Sequence, residues 1–492
     1  MKQIQLSQKL PYDVKKPLVD LAAVLGVQLV TELTEKVVGE LYLTAVAADK
    51  ARLSCQAIFL LADGRRMRAE EPLVFNTTRG EWSRCAKLAM ARVLEEAWNQ
   101  RELPWGILTG VRPGKLAYKL LEAGFKVKEV LQERYLLPLA TATQIEQISL
   151  LQQKVVPVVE KEIAVYIGVP YCPSRCLYCS FPAGIMPQTE EFQQNFCQLI
   201  EEDVLAVVQL LNMHELKIVS IYVGGGTPTS LQDKFFRQLM EIIKQHLCTE
   251  ALREFTVEAG RPDCFTADKL AAMEMVGVNR ISINPQTMHD KTLQLIGRKH
   301  SVQDVYTAYE AVRNSKIPII NMDLIVGLPE ETLADFAFSL ERVLELTPDN
   351  LTVHTLSLKK GAPLFAQRQK FEFLSASEAA TALQLAAELT GAQGLRPYYL
   401  YRQHYMLGHL ANIGYALPQT ESLYNIQMME ERHTVLGIGP SSATKVPAVD
   451  GHHLYKYHMP KDLYTYQATQ QELFAKRAAT LACRYEEGEV NC

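Results

Sequence analysis

The chain has 492 residues, too many for one compact core and enough for two to four domains. Its residues are 48% hydrophobic, with 26 Gly and 23 Pro, an ordinary globular composition that excludes a disordered chain. The 51 basic and 55 acidic residues leave a formal charge of -4, which gives no long-range attraction to nucleic acid or an anionic membrane. Met1 to Leu10 is polar and mixed, without the apolar core of a signal peptide, and no stretch reaches the roughly 18 apolar residues of a membrane span. The expectation is a cytoplasmic protein with no nucleic-acid partner and no membrane span.

Up to about residue 155 the pattern predicts a mixed α/β N-terminal domain, 1–155. Leu41 to Val46 and Arg52 to Leu61 read as a strand hairpin followed by a turn at Ala62-Asp63-Gly64, and 84–98 as a helix. From 156 the rhythm changes. Short β-branched or aromatic runs recur at 163–168, 219–223, 254–258, 280–284, 318–325 and 351–356. Amphipathic helical stretches separate most of them, at 187–212, 230–247, 302–314 and 331–346. Alternation at this spacing predicts βαβ units and an α/β fold, a partial (β/α)6 barrel of parallel strands over 156–360, with a ligand site at the carboxyl ends of the strands. Residues 361–492 are expected to form a smaller C-terminal domain covering the mouth of that sheet. It would hold helices near 376–391 and 465–483, and a segment rich in Tyr and His around Pro397 to His409.

Seven of the ten cysteines are scattered, whereas Cys172, Cys176 and Cys179 fall within eight residues. The run is Tyr166-Ile-Gly-Val-Pro-Tyr-Cys172-Pro-Ser-Arg-Cys176-Leu-Tyr-Cys179-Ser-Phe181, so the cysteines sit on the loop that leaves a predicted strand. In a reducing compartment such a cluster reads as a metal site. Structural zinc would call for a fourth Cys or His close by, and the next cysteine is Cys197 in a helical stretch. Three thiolates can instead hold a cubane iron–sulfur cluster and leave one iron without a protein ligand.

CxxxCxxC after a first strand resembles the radical S-adenosylmethionine superfamily. The surrounding aromatic and proline pattern is similar to the oxygen-independent coproporphyrinogen III oxidase family. The likeness continues through Gly224-Gly-Gly-Thr-Pro228, Glu258, Gly277-Val-Asn-Arg-Ile-Ser282, Gln286, Gly297-Arg-Lys-His300, Asn321-Met-Asp-Leu-Ile-Val-Gly-Leu-Pro329 and the His354 segment. The long N-terminal extension and Glu431-Arg-His-Thr-Val-Leu-Gly-Ile-Gly439 resemble the coproporphyrinogen dehydrogenase branch of Gram-positive bacteria.

The resemblance implies a 4Fe-4S cluster on Cys172, Cys176 and Cys179, with S-adenosyl-L-methionine on its open iron. Gly225, Gly226 and Thr227 would lie along the methionine end of that cofactor, where glycines let the backbone approach a ligand. Glu258 would meet its ammonium or ribose. Gln286, Arg298 and Asp323 would complete the cofactor pocket, Arg298 as a carboxylate fork and Asp323 as an acceptor for ribose hydroxyls. Tyr166 and Tyr178 would be the aromatic residues packed beside the cluster. The activity implied is oxidative decarboxylation of two propionates of coproporphyrinogen III to vinyl groups, giving protoporphyrinogen IX without oxygen. Its partners would be a tetrapyrrole substrate and an electron donor such as flavodoxin or ferredoxin.

Three departures bear on the substrate. The family's histidine near the cluster is replaced in Ile167-Gly168-Val169-Pro170-Tyr171, Phe181 stands where the oxidases carry a further cysteine, and their N-terminal substrate motif is absent. A haem chaperone of the same family, with His354, His404 and His409 as axial-ligand candidates, and a radical methyltransferase-like enzyme therefore stay open. Arg112, Arg175 and Lys299 are the candidate cations for substrate carboxylates.

Overall fold

The computed structural model describes residues 2–31, 37–49, 52–74, 78–98, 103–110, 112–181, 183–403, 405–449 and 453–486. The chain divides into two compact units, Met1–Ser149 and Leu150–Cys492. The first unit carries a five-stranded sheet built from β1 (Lys2–Lys9), β2 (Val27–Val30), β3 (Val37–Asp49), β4 (Arg52–Leu61) and β5 (Arg66–Pro72), in the order β2-β1-β3-β4-β5. The predicted hairpin is β3 and β4, paired antiparallel with Leu41 opposite Phe59 and Leu43 opposite Ala57. Alternation puts these apolar side chains on one face, where they share a core with Trp82, Cys85, Ala86 and Ala89 of the helix Arg79–Trp98. Gly64 in the following turn has φ +89°, a conformation glycine adopts without steric cost.

The second unit begins its sheet with β6 (Glu162–Val169), followed by the two-residue strands β7 (Tyr171–Cys172) and β8 (Gly184–Ile185). Then come β9 (Lys217–Gly225), β10 (Glu254–Glu258), β11 (Arg280–Gln286), β12 (Ile319–Val326) and β13 (Asn350–Thr355). β6 and β9 to β13 lie side by side in chain order, every pair parallel. The helices Glu190–His214, Asp233–Leu247, Ala267–Val276, Val302–Arg313 and Leu333–Glu345 fall between successive strands. Continuous apolar runs suit strands covered on both faces: Ile163, Val165, Ile167 and Val169 of β6 are fully buried alongside Ala164. Reciprocal capping boxes, Ser301 with Asp304 and Thr332 with Asp335, start two of the helices. All six predicted strands are present, and among the described residues no pairing closes them into a ring.

Among the described residues after 360, the strands do not form a sheet of their own. β14 (Arg396–Tyr401) and β15 (Asn412–Ala416) add antiparallel strands beyond β13, with Leu351 opposite Tyr415. β16 (Val435–Ile438) runs parallel to β6 at the opposite edge, and β17 (Ala443–Pro447) and β18 (Leu454–His458) continue from it. The region expected as a separate C-terminal domain thus extends the same sheet on both sides, eleven strands in all. The physical reason is edge pairing: β13 and β6 end the parallel series and would otherwise leave a row of backbone groups unpaired.

Side chains bind this C-terminal segment to the parallel strands. Glu254 at the start of β10 accepts hydrogen bonds from Ser422 Oγ at 3.0 Å, Leu423 N at 2.8 Å and Tyr424 N at 3.1 Å. Its carboxylate therefore sits on the amino end of the helix Leu423–Glu430. Asp203 of Glu190–His214 pairs at 2.6 Å with Arg477 of the helix Leu463–Tyr485, both side chains fully buried. Among the described residues no helix is long and apolar enough to cross a membrane.

Candidate active site

The cysteine loop leaves the carboxyl end of β6 and is fixed by backbone bonds on both flanks. Cys172 lies in β7, paired with Ile185 of β8, and its carbonyl accepts from Met186 N at 3.0 Å. Leu177 N donates to Ile296 O at 2.9 Å, and Ser174 Oγ to Gly297 O at 3.0 Å. Cys176 is buried, and Cys172 and Cys179 are partly buried. Burial pushes the Cys172 and Cys179 thiols up, opposed at Cys172 by the Thr227 hydroxyl and at Cys179 by the Phe181 N–H. The Cys172 thiol is also raised by Cys179 and Cys176, and the Cys179 thiol by Cys176.

Around them stand donors suited to thiolates. Arg261 Nη1 donates to Cys176 Sγ at 3.0 Å, and Thr227 Oγ1 to Cys172 Sγ at 3.5 Å. Behind Arg261, Asp263 lies 3.4 Å from its Nε and 3.5 Å from His300 Nδ1. Burial opposes ionisation there, yet His300 and Arg261 together hold the Asp263 carboxyl below its ordinary value.

The glycine segment after β9 is clamped onto the same loop. Gly226 N donates to Val169 O at 2.9 Å and Thr227 N to Tyr171 O at 2.7 Å. A Cβ on Gly226 would fall 2.5 Å from Tyr171 O, and Gly225 has φ +122°, so both positions require glycine. Gly225 N donates to Glu258 Oε2 at 3.2 Å, and Tyr222 Oη to Glu258 Oε1 at 2.5 Å. Glu258 ends β10 as expected. Burial pushes its carboxyl up to about 7, helped by the nearby Asp323 and opposed by the Tyr222 hydrogen bond. Tyr166, opposite Tyr222 in the β6–β9 register, stacks on it at 6.0 Å, and Tyr424 stacks on Tyr222 at 4.5 Å.

Gln286 ends β11 with φ +72°, and its buried Oε1 has no partner among the described residues. Arg298 Nη1 donates to Gly260 O at 3.2 Å and to Asn284 O, and Nη2 reaches Tyr178 Oη at 3.5 Å. Arg298 therefore ties the ends of β10 and β11 to the aromatic residue between Cys176 and Cys179. Asp323 lies inside β12, accepts from Asn321 Nδ2 at 2.8 Å and meets His354 Nε2 at 3.4 Å. A cavity of about 460 Å³ opens here, lined among others by Tyr178, Cys179, Gln286, His354, Lys359 and Asn412.

Cys172, Gly225, Gly226, Thr227, Glu258 and Gln286 thus lie at or just beyond the carboxyl ends of β6, β9, β10 and β11, while Tyr166 and Asp323 lie inside their strands and Arg298 follows a helix. Of the candidate cations, Arg175 donates to Gly361 O at 3.2 Å and Lys299 is exposed; neither lines the cavity, and Arg112 belongs to the first unit. His409 is outside the lining, and His404 lies outside the described residues. Sequence reading passed over Arg261, Tyr222, Tyr424 and Lys359. Arg261 and Tyr222 adjoin motifs already singled out, three residues after Glu258 and two before Gly224. Tyr424 carries no local signal.

These residues fit an iron–sulfur cluster and its organic partner. Three thiols are partly or fully buried, Cys176 with a guanidinium donor and Cys172 with a hydroxyl donor, the glycine cradle excludes a Cβ, and the buried Gln286 Oε1 has no partner among the described residues. Cys172, Cys176 and Cys179 could hold the cluster. Gly225, Gly226, Thr227, Glu258, Gln286, Arg298 and Asp323 could hold the organic cofactor.

Comparison with known proteins bears on the same region. Residues 166–343 match the Radical SAM superfamily. Oxygen-independent coproporphyrinogen-III oxidase-like protein HemZ of Bacillus subtilis (strain 168) is 38% identical over 369 residues, 74% of this chain and 74% of that protein. Heme chaperone HemW of the same organism is 34% identical over 206 residues, 42% of this chain and 53% of that protein. The solved structure of coproporphyrinogen III oxidase (HemN) from Escherichia coli has the same fold, with a TM-score of 0.52 at 22% identity over 66% of this chain and 72% of that one. The chain therefore belongs to the radical SAM superfamily, in the family of the oxygen-independent coproporphyrinogen III oxidase-like proteins, whose cofactors are a 4Fe-4S cluster and S-adenosylmethionine.

Proposed function

We propose that the protein decarboxylates coproporphyrinogen III oxidatively, converting two propionate side chains to vinyl groups. The observation that carries this reading is the cavity that begins at Cys179 and Tyr178 and contains His354 and Lys359, beside a cradle for the cofactor. The relative called an oxidase-like protein supports it, since its likeness spans nearly three quarters of both chains, whereas the haem chaperone matches 42% of this one. When bound, the cluster and S-adenosylmethionine would supply hydrogen-atom abstraction. The chain's own residues do the remaining work. Arg261 and Thr227 stabilise thiolate charge, Glu258 meets an ammonium group, and Arg298 holds the Tyr178 side of the pocket to the strand ends. On the substrate, each propionate gives one β-hydrogen atom to that abstraction, releases carbon dioxide and passes one electron to an added one-electron acceptor, which leaves a vinyl group.

The test is anaerobic turnover of reconstituted protein with S-adenosylmethionine, a reductant, a one-electron acceptor and coproporphyrinogen III, followed by mass spectrometry of nucleosides and porphyrins. The reading expects substrate-dependent 5′-deoxyadenosine together with loss of two carbon dioxide units, both abolished by Cys176→Ala. 5′-Deoxyadenosine without any change in the porphyrin would overturn it. A second reading, haem handling, is favoured by His354 on the cavity wall, and predicts a haem absorption band that survives gel filtration and is lost in His354→Ala.

A further inference from the structure

We propose that Lys359 anchors a carboxylate of the substrate. This rests on the substrate reading above and deepens it by assigning one residue to the acid groups. Among the described residues lining the cavity, Lys359 is the one side chain of fixed positive charge, and none is Asp or Glu. The lysine is partly buried, and among the described residues no carboxylate pairs with its ammonium. A half-buried ammonium on a wall without carboxylates, with the Cys179 thiol as the acidic group near it, is offset by an anionic ligand, and the Gln403 and Asn412 amides lie on the same wall.

Lys359 is held in place rather than carried on a free loop. Leu358 N donates to Tyr405 O at 3.1 Å and Ala362 N to Lys359 O at 3.0 Å. The segment is also fastened to the cysteine loop, by Leu364 N to Leu177 O at 2.9 Å and by Arg175 to Gly361 O at 3.2 Å. A carboxylate on Lys359 therefore belongs to a molecule whose arm lies beside Cys179. Cys179 and Gln286 line the same cavity, so the experiment has to separate a carboxylate of the substrate from that of the cofactor.

The experiment is anaerobic titration of reconstituted full-length protein with coproporphyrin III and with its tetramethyl ester, read by porphyrin fluorescence, with S-adenosylmethionine affinity measured in parallel. Lys359→Ala should weaken coproporphyrin III by about tenfold or more and Lys359→Arg by less than about threefold. The ester should bind all three proteins alike, and S-adenosylmethionine affinity should stay within about twofold. Unchanged coproporphyrin III binding in Lys359→Ala, or a loss that falls on S-adenosylmethionine instead, overturns the assignment. If the unmutated protein binds no coproporphyrin, the tetrapyrrole reading fails and Lys359 is judged by a separate readout. Protection of Lys359 from reductive methylation by tricarballylate, but not by its triethyl ester, then keeps the carboxylate site, and equal labelling in both removes it.

Discussion

Arg261 and Cys176, eighty-five positions apart in sequence, meet through a guanidinium–sulfur hydrogen bond of 3.0 Å. The arginine is almost fully buried, so its charge is felt by the sulfur with little screening. Hydrogen bonds to charged groups contribute about 1.5–3 kcal/mol. Arg261→Met should therefore speed loss of iron to a chelator by roughly tenfold or more, with Arg261→Lys intermediate. Iron per polypeptide followed over time checks this. Equal retention in all three proteins would mean that the bond does not stabilise the ligand set.

Gly226→Ala should disable the site without unfolding the protein. Its new methyl group would fall 2.5 Å from Tyr171 O, a backbone atom that cannot move without dragging Cys172. The expected result is a loss of S-adenosylmethionine affinity of at least about tenfold, with circular dichroism unchanged. A variant that binds as before would show that the two backbone segments separate freely.

Glu258 gives a pH dependence whose sign can be worked out. Its folded value near 7 stands above the ordinary 4.5, so the native apoprotein binds more protons than the unfolded chain between those values. Stability from this group is complete below about pH 4.5 and is lost as pH rises through about 7, by at most about 3 kcal/mol. Affinity for the cofactor's ammonium runs the other way, rising from about pH 6 to 7.5 as the carboxylate ionises. Glu258→Gln should flatten both slopes, and denaturation and binding measured across that range would read them. Parallel slopes in the two proteins would assign the titration to another group.

Asp203→Ala should be among the most destabilising single changes in the second unit. It removes the partner of buried Arg477 and the acceptor of Gly439 N, at 2.8 Å, and of the Tyr466 hydroxyl. Stranding one half of a buried pair costs about 3–5 kcal/mol. Urea denaturation should report that cost, and the double change Asp203→Leu with Arg477→Met should recover much of it. A loss below about 1 kcal/mol would mean that water reaches the arginine.

The parallel core was legible because its signal is local. β-branched runs such as Ile319 to Val326 and the helices between them carry their own periodicity, and the cysteines, glycines and Glu258 fall at the strand ends that this rhythm defines. The C-terminal strands are short, and their partners lie far off in sequence. Nothing within Val435 to Ile438 says that it will lie beside Ala164 to Ile167. Arg261 escaped for a related reason: an arginine after a strand is usually a surface charge, and only the fold brings Cys176 to it. Lys359 stood in a lysine pair that reads as solvated until the cavity beside it is seen.

The pairing of β16 with β6 has a consequence for how the protein is made. The strand that leads into the cysteine loop has β9 on one side from early in the chain, but its other neighbour is about 270 residues downstream. At ribosomal rates of roughly 5–20 residues per second, that flank stays uncovered for some tens of seconds after β6 emerges. The cysteines are thus presented on a half-finished sheet throughout that interval, and a metal inserted then would meet ligands whose supporting strand is not yet in place. Iron loading that awaits release of the chain would meet a completed framework.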